Sequence, residues 1–188
     1  MKTTGTTLLI GIGSEARGDD AAGLEVARLL SANPPPGWRI EQATGEATDL
    51  IMRWVGAERV IVVDAAQADW PAGTIVRLDG LRAVLPAQTR QTSTHATGLA
   101  TAVRLARALG LLPSELVLLA VCGECWCLGT GLSPAVAAAT RHLAARLTGG
   151  GVSGGSARMA RPARRRAAAD RIRSLIHPQA EGDPPCSA

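Results

Sequence analysis

The hydrophobic positions fall in short blocks separated by glycine, proline and charge. Leu8-Leu9-Ile10 is a continuous apolar run that meets Gly11-Ile12-Gly13. A polar turn follows, and Gly18-Asp19-Asp20-Ala21-Ala22-Gly23 opens a stretch with helical spacing of apolar residues. A strand over 7–12, a glycine loop and a helix over 20–31 are expected, the first half of a βαβ unit. An acid, Asp19 or Asp20, is expected to cap that helix. Asn33-Pro34-Pro35-Pro36-Gly37 ends it. A second strand is expected over 38–43. Leu50, Ile51, Trp54 and Val55 then recur at helical spacing over 48–55, before Gly56 as a C-cap.

Val60-Ile61-Val62-Val63 is continuous and β-branched, the pattern of a central parallel strand, and it is expected to end at Asp64. Residues 74–78 alternate and follow Trp70-Pro71-Ala72-Gly73 too closely for a crossover, which predicts an antiparallel edge strand. Residues 79–91 read as loop or broken helix. Ser93-Thr94-His95 precedes a helix expected over 96–109 and capped by Gly110. A continuous apolar strand over 116–121 follows, and Ser133-Pro134 opens a last helix that runs to 147. The order of elements predicts an α/β fold: a three-layer α/β/α sandwich with helices on both faces of a mostly parallel twisted sheet.

Composition refines this picture mainly at the C-terminal end. A chain of 188 residues is long enough to bury one sizeable core. After Leu147 the sequence turns Gly/Ser-rich, and 161–176 has the pattern of a short basic helix. The division expected is a folded domain over 1–148 and a flexible Gly/Ser- and Arg-rich tail over 149–188. The two parts differ in charge. Residues 1–148 hold 13 Lys+Arg and 13 Asp+Glu, so the net charge of +4 belongs to the tail. The tail's charge alone argues little for nucleic acid, and with no Phe, no Tyr and four scattered Trp no stacking platform is evident. No apolar run approaches the ~20 residues of a membrane span. Met1-Lys2-Thr3-Thr4-Gly5 lacks the pattern of a signal peptide, and three of the four cysteines lie within six positions, unlike a secreted disulfide framework. A cytoplasmic location is expected.

The candidate chemistry lies at strand ends. Asp19 and Asp20 follow the first strand, Asp64 follows the central one, and His95 precedes a later helix. Ligand sites in such sheets lie at the carboxyl ends of the strands. Taken singly, each residue has a bland explanation as a cap or a loop hydrogen bond. Together, Asp20, Asp64 and His95 offer two oxygen ligands and one imidazole nitrogen, a set suited to a borderline transition metal with an open coordination position. Gly11-x-Gly13 with Ala16 is a poor dinucleotide signal, because the two acids after it would repel a pyrophosphate. Cys122, Cys125 and Cys127 have no second C-x-x-C. They read as reduced thiols at a strand end rather than a zinc site, which would need Cys186, His142 or Glu124 as a fourth ligand. No G-x-S-x-G nucleophile elbow is present.

The segments Leu9-Ile10-Gly11-Ile12-Gly13, Arg17-Gly18-Asp19-Asp20-Ala21-Ala22-Gly23 and Val60-Ile61-Val62-Val63-Asp64-Ala65 with Pro71-Ala72-Gly73 occur in a telling order. They are followed by Ser93-Thr94-His95-Ala96-Thr97-Gly98-Leu99 and Gly131-Leu132-Ser133-Pro134-Ala135-Val136. This ordered set, over about residues 6–147, resembles the hydrogenase maturation proteases, which trim the C-terminus of the nickel-iron hydrogenase large subunit. Ser14 stands where that family usually has Asn, and Ala21-Ala22 replaces its frequent Gly-Val or Gly-Ile. The resemblance implies a phosphorylase/hydrolase-like fold and an aspartic-type endopeptidase acting on the large-subunit precursor. It assigns metal contact and catalysis to Asp20, Asp64 and His95, with Asp19 or Asp20 as a possible general base. The nickel would be supplied by the substrate, and the isolated protein would hold no tightly bound cofactor. The competing readings are a non-enzymatic metal- or nucleotide-binding module, such as a metallochaperone using the cysteines, and another hydrolase such as a peptidyl-tRNA hydrolase.

Overall fold

A computed structural model of the chain describes residues 7–83 and 94–149, the side chains of 94–97 excepted. The elements in order are β1 (Thr7–Ile12), a 3-10 turn (Gly18–Ala21), α1 (Ala22–Ser31), β2 (Trp38–Ala43), α2 (Ala47–Trp54) and β3 (Arg59–Gln67). They continue with β4 (Ile75–Asp79), α3 (Thr94–Leu109), β5 (Glu115–Gly123) and α4 (Pro134–Thr148). The strands form one sheet in the order β2-β1-β3-β5-β4. Every neighbouring pair is parallel except β4 with β5, so the antiparallel strand is at the edge as expected.

Period-two alternation divides the apolar side chains between two faces. Leu8, Ile10, Val60, Val62, Leu116 and Leu118 pack beneath α2 and α3, where Trp54, Leu99 and Val103 close the layer. Leu9, Ile61, Val63, Val117, Leu119 and Val121 pack beneath α1 and α4, against Val26, Leu30, Val136 and Leu143. β1 lies between β2 and β3, so the chain leaves β1 in one direction across the sheet and returns past it to β3. The carboxyl ends of β1 and β3 therefore flank the topological switch point, where a crevice opens in sheets of this kind.

Two glycines let α1 sit directly on that point. A Cβ on Gly23 would collide with the carbonyl oxygens of Ile12 and Val63, and one on Gly11 would collide with the Gly23 carbonyl. The Gly11-x-Gly13 pair thus serves close helix–strand packing, with Gly13 lying against the Asp20 carbonyl.

The structure departs from the sequence expectations mainly at element ends. β3 does not stop at Asp64 but runs to Gln67, because β5 keeps pairing with it as far as Gly123. α3 begins at Thr94, so His95 lies in its first turn rather than ahead of it. Neither Asp19 nor Asp20 caps α1. Its N-cap is Ala21, with no side-chain cap bond, and the preceding 3-10 turn opens at Arg17, also without one. α2 gains a cap that was not foreseen: the Glu46 carboxylate accepts from Thr48 N at 3.1 Å and Asp49 N at 2.8 Å. Residues 80–83 form a turn. The rest of the loop expected over 79–91 lies outside the described residues from 84 on. So do residues 150–188, which include the expected basic helix and Cys186.

Gly23→Ala should lower stability by about 1–3 kcal/mol, since its Cβ meets backbone on both sides and neither neighbour is a flexible side chain. Urea denaturation checks this; an unchanged midpoint would mean the helix–strand contact is looser than described.

Candidate active site

Asp64 is the first residue of β3 beyond the end of its pairing with β1, whose last partners are Gly11 and Val63. Strand alternation puts it on the same face as Val60 and Val62, the face covered by α2 and α3. It is half-buried, and its Oδ1 accepts a hydrogen bond from Ala65 N at 2.9 Å. Desolvation raises its carboxyl from the ordinary 3.8 to about 8, the negative charge of Asp20 adds to the rise, and the Ala65 bond opposes it. Asp20 is 7% exposed, in the 3-10 turn between β1 and α1. Two carboxyl groups thus share one poorly solvated place at the switch point, and near neutral pH the pair holds a proton.

Asp19, one residue earlier, has a different environment. It is fully buried. Its Oδ2 accepts from the main-chain N–H of Glu124 at 2.9 Å and of Cys125 at 3.0 Å, and its Oδ1 accepts from Ser133 N at 2.6 Å. Its own N–H donates to the Cys125 carbonyl at 2.8 Å, and Gly129 N donates to the Ala16 carbonyl at 2.9 Å. Gly18 makes this approach possible. Its φ is 53°, and a Cβ there would lie 2.6 Å from the Cys125 carbonyl oxygen. The carboxylate expected at a helix cap is instead the anchor of the β5–α4 loop. Sequence reasoning missed this anchor. The loop's Gly129-Thr130-Gly131 marks a turn but does not name its distant partner.

The backbone of His95 lies in the first turn of α3, and nothing is described of its side chain. That turn is docked at the same edge of the sheet: a Cβ on Gly98 would collide with the Gly45 carbonyl, just past the end of β2. The structure therefore brings Asp20 and Asp64 together and sets the helix carrying His95 over the face to which Asp64 belongs. Among the described residues, which exclude the His95 side chain, no three His, Cys, Asp or Glu are grouped to hold a metal ion. Cys122 is a buried thiol whose burial pushes its pKa up to about 11, which leaves it inert near neutral pH. Cys125 Sγ lies 3.6 Å from Thr130 Oγ1. The chemistry available is that of a carboxyl pair that can release a proton, accept one from water, or face a divalent cation whose charge would relieve their repulsion.

The family model described as HycI, hydrogenase maturation protease, matches residues 25–149. The chain belongs to the hydrogenase maturation protease family. No curated protein sequence matches it. Among solved structures, the hydrogenase maturating endopeptidase HybD from E. coli is similar at 26% identity and a TM-score of 0.63, covering 78% of this chain and 94% of that one. An endopeptidase from Escherichia coli solved in solution is similar at 25% identity and a TM-score of 0.65, covering 77% and 94%. The [NiFe] hydrogenase maturation protease HybD from Thermococcus kodakarensis has the same fold, with a TM-score of 0.63 at 24% identity, covering 74% and 95%. This maturation protease is accordingly a peptidase, a hydrolase of hydrogenase maturation, and its fold is the family's mixed α/β sheet. The family match begins inside α1, so the acid pair at 19–20 is placed at the site by the fold rather than by that match.

The raised carboxyl of Asp64 makes a pH prediction. The folded chain binds this proton more tightly than the unfolded chain, whose Asp titrates near 3.8, so stability falls as pH rises through the window from there to about 8. Asp64→Asn should remove that fall. Its stability advantage over the parent should grow by about 1–3 kcal/mol between pH ~5 and ~9, after allowance for solvent screening. Urea midpoints across that range check it, and parallel curves for the two proteins would refute it. Asp19→Asn should cost about 1–3 kcal/mol at all pH values, because its amide nitrogen would face a main-chain N–H and leave a buried donor unpaired.

Proposed function

We propose that this maturation protease removes the C-terminal extension of a nickel-iron hydrogenase large-subunit precursor and recognises the nickel already lodged there. The observation that carries the reading is the Asp20–Asp64 pair at the switch point, charged and short of solvent, facing the crevice where a ligand enters such a sheet. We assign nickel contact to Asp20, Asp64 and His95. Oxygen and imidazole donors suit a borderline divalent ion, and three ligands leave positions for the precursor's own groups.

The nickel is part of the substrate, and its positive charge offsets the repulsion between the two carboxylates. Its arrival drives the proton from the pair. A carboxylate that contacts the ion through one oxygen keeps the other for the proton of the attacking water. Asp19 is poorly placed for that task, since both of its oxygens already accept main-chain N–H groups. The base in this reading is the Asp20–Asp64 pair. The isolated protein holds no tightly bound metal, because three ligands alone bind a free ion only modestly. Peptidase activity belongs to residues 1–148, with 149–188 a tail. No described helix is long and apolar enough to cross a membrane, and we place the reaction in the cytoplasm, where the precursor would be met.

Incubation of the purified protein with nickel-loaded and nickel-free precursor, followed by intact-mass measurement, tests the reading. A single cut near the C-terminus of the loaded form is expected, and it should survive chelator treatment of the protease alone. Asp20→Asn, Asp64→Asn and His95→Ala should each slow it at least ~100-fold without loss of the cooperative melt. Equal cutting of the nickel-free precursor would refute nickel recognition.

A further inference from the structure

An endopeptidase must hold a stretch of extended polypeptide against its reacting groups, and the sheet has a place for one. β1 pairs with β3 only as far as Gly11 and Val63, whereas β5 stays paired with β3 to Gln67 and Gly123. Beyond Val63, β3 therefore has a strand partner on one side only among the described residues. The direction of its backbone groups follows from one contact. A Cβ on Gly23 would meet the Val63 carbonyl oxygen and the Ile12 amide nitrogen together, so Val63 turns its carbonyl toward β1. Backbone direction alternates along a strand with period two, so Ala65 and Gln67 turn their N–H and C=O groups to that same side, now without β1. The Ala65 N–H is met by the side chain of Asp64 instead of a ladder carbonyl. Residues 65–67 are all partly exposed, and Ala65 and Ala66 are too small to obstruct either face.

We propose that the precursor's C-terminal segment binds as an added strand along Ala65–Gln67, pairing its main chain with the Ala65 carbonyl and the Gln67 N–H. The proposal rests on the function assigned above and names how that substrate is held. Strand addition supplies affinity through the main chain and asks little of the side chains. It also fixes the distance. Paired strands lie about 4.8 Å apart, so a peptide bond opposite the start of this overhang sits beside the Asp64 carboxyl. In this arrangement the sheet edge aligns the chain to be cut, and the carboxyl pair selects the loaded precursor.

Gln67→Pro tests the slot, because it removes the N–H on the open side and leaves the alternate N–H groups that pair with β5. The KM for nickel-loaded precursor should rise about tenfold while kcat changes less than about twofold, with an unchanged thermal melt. A well-folded variant with the parent's KM overturns the proposal. If the variant fails to fold, amide hydrogen exchange of the parent protein decides, measured with and without a millimolar synthetic peptide spanning the precursor's cleavage site. Slowed exchange at Gln67 supports the slot, and unchanged exchange there overturns it. A parent protein that leaves the loaded precursor uncut refutes the assigned function instead, and the exchange measurement still decides the slot.

Discussion

The site depends first on the carboxylate of Asp19. A fully buried carboxylate is costly unless it is well bonded, and here three main-chain N–H groups from a loop more than a hundred residues away converge on it. Bonds from N–H to an ionised acceptor are stronger than neutral ones, so the turn after β1 and the loop after β5 are held as one unit. That unit borders the end of β3 between them. The neighbouring acid, Asp20, has no comparable set of donors, and its charge acts on Asp64. Two consecutive aspartates thus divide the work: one builds the edge of the crevice, and the other charges it.

The glycines set the distances. α1 reaches the ends of β1 and β3 because Gly11 and Gly23 leave no side chain between helix and strands, and α3 reaches the end of β2 because Gly98 lies on Gly45. Helices on opposite faces are thereby brought to the same edge of the sheet, at the point where the strand order reverses. Family membership assigns peptidase activity to the chain. The geometry explains why that activity belongs at this edge, since only here do two poorly solvated carboxyls face each other at a crevice.

Much of this was legible in the sequence, and the reasons differ by element. Val60–Val63 and the apolar run after Leu116 read correctly because burial on both faces requires unbroken hydrophobicity. The end of β3 was not legible. Asp64, Ala65, Ala66 and Gln67 have no strand pattern of their own, and they stay extended because β5 continues beside them. The start of α3 was missed by two residues, which moved His95 from loop to helix. Asp20 and Asp64 were recognisable as candidates from their positions after strands. The task of Asp19 was hidden, because a carboxylate that caps its own helix and one that anchors a distant loop look alike in one dimension. Glu46 was overlooked because glutamate is not a favoured N-cap, and here it succeeds with help from the Thr48 hydroxyl at 2.6 Å.

The raised carboxyl of Asp64 bears on how such an enzyme would tell a loaded substrate from an empty one. Two carboxylates that repel each other in a poorly solvated crevice are a poor resting state unless a proton or a cation stands between them. A proton is always available, so the free protein is satisfied without metal. A bare divalent ion from solution must displace that proton and meets few ligands in return. The same ion held in a precursor arrives with its remaining ligands in place and with a polypeptide that can align along the sheet edge. The proton therefore works as a threshold. It weakens every cation that comes alone, and it yields to one that brings additional binding energy with it. A pair without this tension would bind metal more readily and would lose the ability to discriminate.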